Sequence, residues 1–138
     1  MIISEFNILA KFQSFNHSYF NDELPLPTFK IRHSYRILGQ FICSIDEYGN
    51  IKNATIEISD SYDYTIEQFR DILIHEMIHY LLVFNGKDTK CTHGKEFKKI
   101  ADNFNLKYNM NITAKINLTE YSIPQGKSNF FFKLCTLF

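Results

Sequence analysis

The chain has 138 residues with 15 basic and 15 acidic side chains, so its formal net charge is zero. A hydrophobic fraction of 45%, with 14 Phe and 8 Tyr, supplies one core and excludes a largely disordered chain. Residues 1–86 hold 6 Lys and Arg against 11 Asp and Glu, whereas residues 87–138 hold 9 against 4, so the balance hides an acidic and a basic part.

The opening stretch, MIISEFNILAKF, lacks a basic leader and carries Glu5, so it does not read as a signal peptide. Ser4 suits an N-cap, and Phe6, Leu9, Phe12 and Asn16 recur at helical spacing, which predicts a helix over about residues 4–20. The two prolines of DELPLP end it. TFKIRHS, ILGQFICSI and IKNATIEIS then read as three strands, with DEYGN as the turn before the third. An antiparallel meander is the expected arrangement. Gly39 suits a bulge or a close backbone approach. The third strand is either a cleft edge that pairs with substrate backbone or an ordinary strand.

A longer helix follows. Thr65 is the expected N-cap, Gln68 completes a capping box, and Gly86 is the expected C-cap. Ile66, Phe69, Leu73, Met77, Tyr80 and Phe84 form one stripe, while Ile72, Ile74, Ile78, Leu82 and Val83 fill the other directions. A helix apolar all round is a buried helix. GKDTKCT reads as a loop, and HGKEFKKIADNFNL as a further helix with Phe97, Ile100 and Phe104 inward. MNITAKINL suits a strand, and NFFFKLCTLF is apolar enough to need cover. No linker or repeat interrupts residues 1–138, which predicts a single domain. No run of 18 apolar residues occurs, so no membrane-spanning helix is expected.

Inside the buried helix stand His75, Glu76 and His79. The two histidines are four residues apart and so share one face, one turn from each other. That spacing suits two imidazole nitrogens on one zinc ion, with bonds of about 2 Å. Glu76 lies about 100° round the helix, off the ligand set but within reach of a metal-bound water. The pattern H-E-x-x-H thus supplies two ligands and a general base for attack on a carbonyl. In a chain of this composition it arises by chance with a probability of roughly one in a hundred. Three unpaired polar groups in an apolar setting each cost about 2–7 kcal/mol, and a metal compensates them.

A catalytic zinc takes a third protein ligand. Leu82 and Asn85 occupy the positions where a metzincin has glycine and histidine, so that class is excluded. His93, Glu96, Asp88 and Cys91 remain, and His93 fits best through imidazole's affinity for zinc and the small Gly94 beside it. Cys43, Cys91 and Cys135 make no C-x-x-C pair, and an odd count without a leader points to reduced thiols in a cytoplasm. His17 and His33 have no ligand-like spacing and read as surface or satisfied residues. Nothing in the sequence makes Tyr62 or Tyr64 an oxyanion donor. Lys87, Lys90, Lys95, Lys98 and Lys99 either face an anionic partner such as nucleic acid or form a solvated helix face.

LIHEMIHYLL, followed by HGKEFKKIA fourteen residues after His79, resembles the SprT-like zinc metallopeptidase family, to which the Spartan-type proteases of DNA-crosslinked proteins belong. YFNDELPLPTFKI, RILGQF and ATIEIS resemble its upstream elements, so the likeness covers about residues 4–105. It implies an α+β, zincin-like fold with a small antiparallel or mixed sheet, an N-terminal helix, the H-E-x-x-H helix and one more helix. It also implies one Zn2+ per chain on His75, His79 and His93, with Glu76 catalytic. The implied substrates are polypeptides, presented on or near DNA. The chain departs from many relatives after residue 105, where Cys135 alone cannot build a four-cysteine zinc ribbon. Two other readings stand beside the protease: a non-catalytic metal-bound module that binds DNA or protein, and a metallohydrolase with a non-peptide substrate.

Overall fold

The computed structural model describes residues 1–88 and 90–124. Helix α1 spans Glu5–Tyr19, and the Ser4 hydroxyl caps it by accepting from the Asn7 N–H at 3.1 Å. Its buried stripe runs through Ile8, Phe12 and Asn16. Phe6, expected inward, lies off that line and is 76% exposed. Asn16 is buried because its side-chain amide serves both backbone groups of Leu24, donating to the carbonyl at 2.9 Å and accepting from the N–H at 3.2 Å.

Strands β1 (Thr28–Arg32), β2 (Gly39–Ile45) and β3 (Ile51–Ser59) form one sheet in the order β1-β3-β2. β3 pairs with β2 in antiparallel fashion and with β1 in parallel. The expected meander is therefore corrected: β3 inserts between the other two strands, making the sheet mixed. The cause is visible in the connections. Asp46–Asn50 is a tight turn, with Asp46 Oδ1 accepting from the Tyr48 and Asn50 N–H groups and Gly49 at φ +82. Residues 33–38 instead cross the end of β3, where the Ser59 N–H donates to the Leu38 carbonyl and the Ser34 N–H to Ser59 Oγ. Central placement also explains the burial of Ile56 and Ile58, both 0% exposed. β3 is thus an inner strand; among the described residues the outer edge of β2 pairs with no strand.

Helix α2 spans Ile66–Phe84, and the Thr65–Gln68 capping box forms in full. At its other end Gly86 adopts φ +69, just beyond the cap residue Asn85. Its N–H donates to the Val83 carbonyl at 3.0 Å and that of Lys87 to the Leu82 carbonyl at 2.8 Å, the two bonds of a Schellman motif. Residues 72–80 are buried without a break, which covers every side of the helix. No helix among the described residues is long and apolar enough to cross a membrane.

Helix α3 spans Lys95–Tyr108 and buries Phe97, Ala101 and Phe104. The stretch from 109 to 117 forms no strand, contrary to expectation; a single 3-10 turn, Leu118–Glu120, follows it. Polar residues alternate there with Met110 and Ile112, but side chains of other elements, not a neighbouring strand, satisfy its backbone. NFFFKLCTLF lies outside the described residues.

The sheet meets α2 most closely at Gly39. A Cβ there would lie 3.0 Å from Ile72 Cγ2 and 3.2 Å from both Glu76 Cγ and Oε1. Gly39 therefore serves a close approach, and the bulge of β2 falls elsewhere, between Ile42 and Ser44. Gly39→Ala is expected to destabilise the protein by about 1–3 kcal/mol through overpacking, measured by urea unfolding; unchanged stability would show that the contact relaxes freely.

Candidate metal centre

His75 and His79 project from α2 toward α3, as their four-residue spacing requires. The loop after α2 brings His93 back to them, two residues before α3 begins. His75 Nε2 lies 3.1 Å and His79 Nε2 3.2 Å from His93 Nε2. One N–H on His93 cannot donate to both neighbours at once, so hydrogen bonding alone does not account for the arrangement. Three nitrogens each bound at about 2.0–2.1 Å to a tetrahedral ion would stand about 3.3 Å apart. The three histidines form a group that could hold a metal ion, and the donor set fits.

Their electrostatics agree with that use. Burial, and then repulsion from His79 and His93, pushes His75 down to about 3. Burial, and then His93, pushes His79 down to about 4, against the pull of Asp88. Both rings are consequently neutral at pH 7, the form in which imidazole ligates a metal. Glu76 Oε1 is 3.9 Å from His75 Nε2, beside the donor group and not part of it. Burial pushes its carboxyl up to about 8, and a backbone N–H from Phe41 opposes the shift.

The other ligand candidates fall away from the centre. Glu96 is exposed on the first turn of α3, and neither it nor Asp88 or Cys91 joins the convergent group. Cys91 is held as a thiol, raised to about 11 by burial first and by Cys43, Asp88 and Glu76 after that. Asp88 instead shapes the loop: Oδ2 accepts from the Thr92 N–H and hydroxyl, both at 2.9 Å, and Oδ1 from the Lys90 N–H at 3.2 Å. These bonds tie down the residue directly before His93. His17 and His33 are exposed and pair with Asp22 and Asp60. Tyr62 and Tyr64 donate their hydroxyls to the backbone carbonyls of Tyr35 and Ser59, which commits both to structure.

Sequence reasoning placed Phe97 in the core without linking it to the site. Its ring centroid lies 4.7 Å from those of His75 and His79 and 4.9 Å from that of His93, so it forms the floor on which all three imidazoles rest. The four-residue step from His93 to Phe97 was the available signal. The partner of the His75 ring, the backbone carbonyl of Thr113, left no trace in side-chain identity.

Phe97→Ala is expected to lower stability by about 3–5 kcal/mol, the range for emptying a buried aromatic site, as read by chemical denaturation. A loss below about 1 kcal/mol would mean that the histidines hold their places without this floor.

No curated protein matches the chain significantly. A family match spans residues 8–117, which takes in most of α1, the sheet, all three histidines and α3. In agreement with the order of its elements and its three-histidine group, the chain belongs to the SprT-like family.

Proposed function

We propose that the protein is a zinc-dependent metallopeptidase in which His75, His79 and His93 hold one zinc ion and Glu76 is the general base. The observation that carries this reading is the convergence of three Nε2 atoms within a shell that also contains one carboxylate, 3.9 Å from the nearest of them. A zinc ion bound there supplies Lewis acidity, polarising the scissile carbonyl and lowering the pKa of a water toward about 7. Glu76 takes the proton of the attacking water on its carboxylate and returns it to the leaving amine. Its placement against Gly39 and the Phe41 N–H keeps the carboxylate aimed at the donor group.

The substrate is a polypeptide in this reading. Its backbone would pair with the open edge of β2, the strand whose Gly39 and Phe41 adjoin Glu76. Substrates presented on or near DNA are part of the same proposal, supported by family membership and by the exposed Lys87, Lys90, Lys95, Lys98 and Lys99 around the His93 loop.

Elemental analysis of purified protein is the first test. One zinc per chain is expected in the wild type and in Glu96→Ala, with loss in His93→Ala. Glu76→Gln should retain zinc while turnover of an unfolded casein-like protein falls about 10²–10⁴-fold. A wild type that takes up no zinc on reconstitution overturns the metal reading. Zinc retained with no hydrolysis of any unfolded protein would leave a non-catalytic metal-bound module.

A further inference from the structure

We propose that the cavity between the C-terminal half of α2, the start of β3 and the segment leading into β1 is an exosite that takes a tyrosine side chain of a polypeptide substrate. This assignment rests on the reading of the protein as one that acts on polypeptides, and it names a side chain that such a substrate presents away from the metal centre.

The cavity measures about 500 Å³, within the range of about 300–1,000 Å³ that holds small ligands. Ile51 and Ala54 of β3 line it, with Tyr80 and Phe84 of α2 and Pro25 and Leu26 before β1. Leu26 and Phe84, 61% and 45% exposed, form its rim. Tyr80 is the buried polar element within it. That residue is 3% exposed, its ring is stacked on Phe41 with centroids 4.9 Å apart, and Phe84 meets it edge-on at 80°. These contacts fix the ring. Yet among the described residues the Tyr80 hydroxyl has no hydrogen-bond partner, whereas the equally buried Tyr62 and Tyr64 donate theirs to backbone carbonyls. A buried phenol hydroxyl is normally paired, so an unpaired one lining a cavity marks where a polar atom of a ligand sits.

Three features select the occupant. Walls of Ile51, Ala54 and Phe84 suit a flat apolar ring, and an aromatic guest gains edge-to-face attraction as well. No charged side chain among the described residues lines the cavity, so an ionic group would lose its hydration there without gaining a counter-charge. The lone hydroxyl is matched by a group that both donates and accepts, as a phenol does. Tyrosine meets all three conditions; phenylalanine lacks the last. The surroundings favour a polypeptide over a free phenol. Thr28 opens β1, whose outer side pairs with no strand among the described residues, and Asn53 adds an exposed amide, so backbone flanking the tyrosine finds partners. Tyr80 and Phe84 follow Glu76 at steps of four on α2, which puts Phe84 about 12 Å along the axis from the general base. None of the three histidines lines the cavity. Occupation thus anchors a substrate without touching the metal.

The test is a titration of the full chain, followed by ¹H–¹⁵N spectra, with acetyl-Gly-Tyr-Gly-amide and its Phe, Leu and Glu counterparts. The tyrosine peptide should shift the amides of Ile51, Asn53 and Ala54 saturably. It should bind about three- to tenfold more tightly than the phenylalanine peptide, the usual yield of one paired hydroxyl. The leucine peptide should bind more weakly again, and the glutamate peptide not at all. Tyr80→Phe keeps the ring and should bind both aromatic peptides alike, with the wild-type affinity for phenylalanine. Ala54→Leu fills the cavity and should abolish the shifts. If that variant does not fold, Leu26→Glu at the exposed rim carries the test by weakening both aromatic peptides. Equal affinity for tyrosine and phenylalanine in the wild type, or a preference that survives Tyr80→Phe, would overturn the proposal. So would p-cresol binding as tightly as the tyrosine peptide, which marks a site for free phenols. The titration needs neither metal nor turnover, so a protein that takes up no zinc sinks the metallopeptidase reading while these spectra still judge the cavity.

Discussion

His75, Glu76 and His79 interrupt a helix that is otherwise apolar on every side, and leaving such groups unpaired away from water costs about 2–7 kcal/mol each. The surrounding elements are arranged around that cost. α3 brings Phe97 beneath the imidazoles, the preceding loop delivers His93, and the segment after α3 offers the Thr113 carbonyl. β2 comes close enough for a backbone N–H to face Glu76, which only the bare Cα of Gly39 permits. The polar centre is thus the place where α2, β2, α3 and the loop before α3 meet.

Burial also divides the chemistry between the two residue types. It disfavours charge on imidazole and carboxylate alike, but with opposite consequences for the proton. The histidines lose theirs and become neutral donors, while Glu76 holds its proton more tightly than an exposed carboxyl. Neutral ligands beside a carboxylate of raised proton affinity are suited to holding a cation and moving a proton next to it.

Much of this was legible in local sequence because local physics decides it. Ser4, Thr65, Gln68 and Gly86 mark helix ends through hydrogen bonds that span only a few residues, and each does so in the structure. Phe6 shows the limit of periodicity: it lies off the buried line of α1, and among the described residues it is left exposed. The mixed sheet was not legible, since the order β1-β3-β2 depends on β3 finding a slot between two strands that precede it. Sequence adjacency favours a meander, and only the crossing of residues 33–38 over the end of β3 excludes one here. MNITAKINL misled for a related reason. Its alternation looks like a strand, yet Asn105 and Asp71 supply the partners that a neighbouring strand would otherwise give.

By itself the sequence determined the H-E-x-x-H helix, the character of its donors and the candidacy of His93, because helical spacing and side-chain chemistry are local properties. Tertiary structure alone decided that His93 and not Glu96 reaches the two imidazoles. It also decided that β3 is the inner strand, leaving β1 and β2 as the edges among the described residues, and that the sheet meets Glu76 at Gly39. Those features depend on contacts between residues far apart in the chain, several of them through backbone atoms that every residue shares, so no side-chain pattern records them.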